Sequence, residues 1–468
     1  MQIAEAESGP PPPDLQGTQT MPDPLTTPLP TLADLAAGRV RAGLTMKTWW
    51  WEALAPEAPV PLPPHPVDVA IIGSGFTGLV AALTLLRAGR SVLVLEAGRP
   101  GFGASTRNGG QIGSGNQKFR VKTLIAMQGQ AKAEALLREG VAMLDHIEAL
   151  IRDEGIACHF ARTGRFRGAM RPAHYEAMAR DMEDLQRHAG VASFMIPRAE
   201  QHREIASDRF FGGSVLPDDA SLHPGLYHTG LLDRVRAAGG IVAGQAEVVA
   251  INAESPGFSL VTPRGKITAR EVVVATNGYT QHFDRYTRRR IVPVGSALIA
   301  TGAMAPERIT ALMPGGRMYG NTARVFSYFR AAPDAPRLIW GGRIGHNAPQ
   351  TDPRAYAHLA RDLLETFPQM ADAPVSHAWS GRIGYTFDEF PHLGRTPAGI
   401  HYAMGYCGTG VSRATWFGRK IAQQLMGDPA GASAFSDLRF PSHPFAAVAP
   451  MTVPFFEHWY RLRDRFDF

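Results

Sequence analysis

Two cysteines, Cys158 and Cys407, are all the thiols among 468 residues. That scarcity excludes a disulfide framework and a cysteine-rich metal centre, and no other metal-ligating cluster stands in the sequence. A reducing, cytoplasmic setting fits such a chain. Charge is sparse too: 19% of residues are charged, and a net +6 is thin at this length. The basic residues are scattered. "YTRRR", Tyr286 to Arg290, stands without a supporting nucleic-acid motif, so it reads as a solvated loop and nucleic acid is not expected as a partner. Nowhere do the ~20 apolar residues of a membrane-spanning helix run together. Glu5, Glu7 and Pro10 to Pro13 occupy the place where a secretory signal would carry its apolar core, so no signal peptide is expected. Internal repeats are absent, and no sequence feature specifies an oligomeric state.

What is present is a globular composition, 44% hydrophobic, on a chain too long for one ordinary core. Two structural units, interleaved or in series, are expected. Residues 1–66 read as a proline-rich arm. Its stretch from Thr31 to Leu54 has room for a short helix, and Trp49, Trp50 and Trp51 are suited to docking the arm onto the body. At the other end, Phe455, Trp459, Leu462 and Phe466 share one face of an expected helix that packs on the body. Between these ends the pattern predicts strands at 67–72 and 91–96 and a helix at 78–88 ended by Gly89. Further helices are expected over 122–154, 172–189, 228–237 and 352–366. Strands are expected from 240 to 280, with turns at Ser255–Gly257 and Pro263–Gly265, and again at 291–300 and 337–342.

The strand from Val67 runs into Gly73-x-Gly75-x-x-Gly78 and then a helix, which is the dinucleotide fingerprint in its required context. Gly73 permits the tight turn, Gly75 lets backbone approach a pyrophosphate, and Gly78 allows close helix–strand packing. The helix opens with Phe76-Thr77-Gly78, whose N–H groups face the phosphates. Glu96 ends the next strand, placed to accept hydrogen bonds from ribose hydroxyls. From Ala97 to Gln117 follow seven glycines in twenty-one residues, more than a solvent loop needs. Such a run suits backbone laid along an extended cofactor, which favours FAD over NAD.

Within that run, "GFGASTRNGGQ" resembles the signature of FAD-dependent amine oxidoreductases of the D-amino-acid oxidase type, and most of all the bacterial γ-glutamylputrescine oxidoreductase group. "AEVVAI", "REVVVATNGYT", "WSGRIGYTFDEFPHLGR" and "GIHYAMGYCGTGVSRATWFGRKIAQQL" carry the resemblance from about Trp49 to the C-terminus. It implies an α/β (α+β overall) architecture: a Rossmann-type FAD-binding domain with a second, antiparallel-sheet substrate domain, as in glycine oxidase. The FAD-binding domain would comprise 67–120, 203–290 and 380–435, the cap 121–202 and 291–379, and the tail 436–468. The cofactor contacts it implies are Ala97, Gly103, Ala104, Ser105, Arg107, Asn108, Gly109, Gly110 and Gln111 in the loop, and Val248 beside the adenine. Thr276, Asn277 and Gly278 would end the later strand, with Gly405, Gly408, Thr409, Gly410 and Val411 under the flavin.

The resemblance also implies chemistry. Hydride leaves the carbon bonded to nitrogen for flavin N5, and the resulting imine hydrolyses. The substrate is a γ-glutamylputrescine-like amine, another N-substituted amino acid or a simple alkylamine. Oxygen is the expected acceptor, with a quinone or electron-transfer protein as the alternative, and a flavin-binding protein without turnover as the alternative to an enzyme. Thr106-Arg107 stands where covalent relatives carry a linking residue, so noncovalent FAD is expected, with Cys407 in the C-terminal turn the other position of interest. Arg343 either keeps a positive charge over the flavin or is a surface arginine. Tyr328 and Tyr385 either line the substrate side of the ring or are core aromatics with satisfied hydroxyls. His223, before Pro224, reads as a helix cap. No dedicated catalytic base stands out.

Overall fold

The computed structural model describes residues 28–446 apart from 41, 56, 57, 59, 115–117, 281, 344–350, 444 and 445. The expected C-terminal helix and the first 27 residues therefore lie outside the described residues. Strand β1 (Val67–Ile72), helix α1 (Phe76–Arg87) and strand β2 (Val92–Leu95) form a parallel crossover, with Val69 beside Val92 and Ile72 beside Leu95. Strand β3 (Gly265–Val274) pairs parallel to the other side of β1. The sheet runs His392–Arg395, His401–Met404, β3, β1, β2 and Ile241–Ala243, and an antiparallel meander (250–262) extends from β3. Near-continuous apolar runs such as "VDVAII" follow from this sheet being buried on both faces.

One face packs under a layer of helices. These include α1, α2 (Val121–Gln128), α3 (Gln130–Asp153), α4 (Pro224–Ala237) and α5 (Gly410–Leu425). The single helix expected over 122–154 is two, because Gly129 takes φ +78° and breaks the run. α4 begins at Pro224, four residues before the helix expected from 228 and where the reading of His223 as a cap put it, with His223 Nδ1 accepting from Leu226 N at 3.1 Å. The strand expected at "AEVVAI" starts only at Ala250. Gln245 at φ +52° turns the chain, and Val248 is buried beside β2 and β3 residues. "YTRRR" is no free loop: Asp284 caps a short helix, Arg285–Arg288, and the Arg290 guanidinium lies 3.6 Å over the Tyr286 ring.

The second sheet is mostly antiparallel. It runs β7 (Val375–Tyr385), β4 (Val292–Thr301), β6 (Leu338–Arg343), β5 (Tyr328–Ala331), then Met318–Asn321, Arg165–Gly168, Gly213–Leu216 and Phe194–Ile196. Gly213–Leu216 thus joins the second sheet although 203–290 was expected in the FAD-binding unit, and β7 runs across the expected boundary at 380. No helix among the described residues is long and apolar enough to cross a membrane, and no cluster there suits a metal ion.

Candidate functional site

The turn after β1 is built for close approach. Gly73 holds φ +102°, and a Cβ there would stand 3.0 Å from Ala275 O at the end of β3. A Cβ at Gly78 would run into Gly73 O, so α1 and the turn touch through backbone alone. Gly75 caps α1 without a side chain, and Phe76 N donates to Ser105 Oγ at 3.0 Å. The open first turn of α1 is thereby aimed at the "GASTRNGG" loop, a natural seat for a pyrophosphate. The Phe76 ring itself turns away to pack 4.9 Å from Tyr227, and Thr77 Oγ1 pairs with Tyr406 OH at 2.6 Å. Only their backbones face the turn.

Glu96 is pre-oriented. Its Oε2 accepts from Ser74 N (2.9 Å) and Ser74 Oγ (2.7 Å), and Oε1 accepts from Gly98 N (3.2 Å). Each oxygen keeps acceptor capacity for ribose hydroxyls. Behind the turn, His228 on α4 donates from Nε2 to Ser74 O at 2.7 Å, and burial pushes its pKa down to about 4. Sequence reading missed His228, since a lone histidine on a helix carries no local signal.

The loop after Gly103 is knitted by Asn108. Its Nδ2 donates to Ala104 O (3.0 Å) and Ser105 O (2.9 Å), and its Oδ1 accepts from Gly110 N (2.8 Å). The Arg107 guanidinium points elsewhere, donating to Phe102 O and Ser380 O and lying 4.6 Å from the Trp51 ring. Gln111 reaches Phe329 O at 3.2 Å.

The C-terminal turn comes up beside this loop's far end. Gly405 (φ +85°), Cys407 (+49°) and Gly408 (+89°) lead into α5, whose start at Gly410 follows Thr409 without a side-chain cap. Asn277, itself at φ +44°, accepts from Gly405 N at 2.9 Å and so ties the end of β3 to this turn. Gly278 must be glycine, because a Cβ would sit 2.8 Å from Gly384 N in β7. Gly418 presses α5 onto α1, where a Cβ would stand 2.5 Å from Thr77 O. The thiol of Cys407 is buried, donates to Gly405 O at 3.2 Å, and is pushed up in pKa chiefly by burial.

Above these turns the second sheet presents Tyr328, Ser296, Arg343 and Tyr385. Tyr328 and Ser296 hydroxyls are 3.1 Å apart, and enclosure pushes the Tyr328 pKa up to about 12, so it stays a neutral phenol. The Tyr328 ring lies over Gly109, whose Cβ would be 2.9 Å from it. Tyr385 OH accepts from both Arg343 Nη2 and Lys118 Nζ at 3.3 Å. A Cβ at Gly408 would be 3.8 Å from that same hydroxyl. Arg343, Tyr328 and Tyr385 are therefore brought to one region, and Lys118 joins them unanticipated. Among the described residues neither cation has a carboxylate partner.

The residues from 68 to 424 match the family model described as "FAD dependent oxidoreductase", DAO. The chain belongs to the DAO family. Gamma-glutamylputrescine oxidoreductase of Escherichia coli (strain K12) is 32% identical over 406 residues, covering 85% of this chain and 93% of that protein. A "probable oxidoreductase OrdL" of Rhizobium meliloti (strain 1021) is 30% identical over 430 residues, 89% and 97% of the two chains. Among solved structures, glycine oxidase from Geobacillus kaustophilus superposes with a TM-score of 0.65 at 20% identity, covering 81% of this chain and 99% of that one. The protein is a DAO-family, FAD-dependent oxidoreductase with the glycine oxidase type of fold. Its glycine cradle, open α1 terminus and bound-in-place Glu96 fit an adenine dinucleotide.

Proposed function

We propose that this DAO-family chain is a cytoplasmic oxidase for the C–N bond of an amine that also carries an anionic group, a γ-glutamylputrescine-like molecule being the model. FAD, when bound, would supply the two-electron acceptor for this oxidation, with oxygen proposed as the final acceptor. The protein's part is placement. The α1 terminus and Glu96 receive the dinucleotide, and the α5 terminus with Gly405 to Val411 offers N–H donors to a ring carbonyl. Tyr328 and Ser296 roof the reacting carbon from the second sheet. Lys118 and Arg343 share Tyr385 OH as acceptor, and the unassigned partner for two adjacent cations is a carboxylate. The segments flanking them, 115–117 and 344–350, contain no Asp or Glu to serve instead. This convergence of two cations on one phenol beside the Gly408 turn carries the reading.

An anaerobic panel of amines, followed by bleaching of the flavin absorbance, tests the reaction class. Peroxide formation under air, compared with dye reduction without it, tests the acceptor. No bleaching by any amine would sink the enzymatic proposal. Arg343→Met is expected to raise KM for a carboxylate-bearing amine about 30-fold while changing that for an uncharged alkylamine less than about twofold. Equal effects on both substrates would remove the anion from the proposal.

A further inference from the structure

The segment Thr48–Glu52 plays no part in the reaction proposed above, yet it is built into the loop that the cofactor needs. We propose that this segment is a strap that presets the cofactor loop, with Trp50 and Trp51 as positioning residues for FAD. The inference rests on the reading that this loop lies along the dinucleotide.

Three successive loop carbonyls each take a side-chain donor from outside the loop. Thr106 O accepts from Thr48 Oγ1 (3.4 Å), Arg107 O from Trp379 Nε1 (2.9 Å) and Asn108 O from Trp50 Nε1 (2.8 Å). Trp51 Nε1 donates to Thr106 Oγ1 at 2.8 Å, and that hydroxyl in turn donates to Gly101 O. The loop has only one 3-10 turn, Ala104–Thr106, before Gly109 and Gly110, so it has little regular structure to hold these peptide planes. Trp50 is fully buried. The strap passes so close to α4 that a Cβ on Gly225 would lie 2.6 Å from Trp50 O.

The strap's other side grips the second sheet's turn and edge. Trp49 Nε1 donates to Asp334 Oδ1 at 3.3 Å, the Arg337 guanidinium stacks 3.5 Å over the Trp49 ring, and Glu52 stands 3.4 Å from His377 Nε2. Trp51 is flanked by the guanidinium groups of Arg99 (4.0 Å) and Arg107 (4.6 Å). The strap therefore ties a glycine-rich loop of one half of the fold to the sheet of the other. A loop ordered before the cofactor arrives loses less entropy on binding, so the strap's effect belongs in FAD affinity.

The test uses the full chain stripped of flavin, titrated with FAD by fluorescence quenching, alongside thermal melts with and without FAD. Trp50→Phe and Trp51→Phe keep a single aromatic ring and delete the indole N–H. Each is expected to raise the Kd for FAD about fivefold to tenfold, with the FAD-induced gain in melting point reduced beyond any loss in the apoprotein's own melting point. Trp49→Phe, whose N–H serves Asp334 rather than the loop, should leave Kd within about twofold. Kd values unchanged in both Trp50 and Trp51 variants, or equal loss of stability in apo and loaded forms, would overturn the proposal. If either variant does not fold, Thr48→Val, which removes the donor to Thr106 O, is judged by the same two outcomes. Failure of the unaltered protein to bind FAD would instead overturn the placement of the cofactor, and it needs no substitution to be seen.

Discussion

Gly78→Val will purify without flavin colour, its affinity for FAD lowered by at least about 100-fold, which corresponds to roughly 3 kcal/mol. The cause is backbone against backbone. The new Cβ runs into Gly73 O and lies 3.2 Å from Gly73 C, and this backbone cannot rotate aside as a side-chain tip would. α1 must move off β1, which costs about 1–3 kcal/mol as overpacking and also spoils the turn that should meet the pyrophosphate. Gly89→Ala is the control. Unlike Gly78 it sits at positive φ (+78°), but its Cβ would meet open space, so it should cost about 1 kcal/mol of stability and leave FAD binding unchanged. Visible absorbance of the purified variants and calorimetric titration decide the matter. A Gly78→Val protein that holds stoichiometric FAD would show that the cofactor lies elsewhere.

Lowering the pH from 6.5 to 4 will strip stability from the fold, with loss of bound FAD over the same range. His228 is buried against Ser74 O, and desolvation holds its pKa at about 4 against an ordinary 6.5. Below pH 6.5 the unfolded chain takes up a proton there that the folded chain refuses until about pH 4. The stability is therefore fully present above 6.5 and falls through this window, by about 3 kcal/mol for this group at the acid end. His146 and His401, both pushed to about 4 chiefly by burial, act in the same direction. His228→Gln retains a donor for Ser74 O and does not titrate, so its stability should fall less steeply between pH 6.5 and 4. Thermal melts and flavin release measured across that range check it. Identical acid profiles for the two proteins would mean that His228 is not the group responsible.

Much of the first crossover was legible because its causes are local. Gly73, Gly75 and Gly78 follow an apolar strand, open a helix and precede a second strand that ends one residue before Glu96, and the glycine spacing is set within one turn. The resemblance carried by "GFGASTRNGGQ" extended that reading to the family. Local periodicity also misled. Apolar spacing continues from α2 into α3, which hid the break at Gly129, since a glycine inside a helical pattern is often tolerated. The strand at Gly213–Leu216 has no pattern that says which sheet will pair it, so its place in the second sheet was not foreseen.

By itself the sequence determined the glycine turn after β1, the position of Glu96 beyond β2 and the family, because these rest on neighbours in the chain. Only the tertiary structure decided that Lys118 and Arg343 meet on Tyr385, and that the indoles of Trp50 and Trp51 grip a loop more than 50 residues further on. Side chains so far apart along the chain meet only through sheet pairing and helix packing. The alternation or spacing around each of them is the same whether or not that meeting occurs.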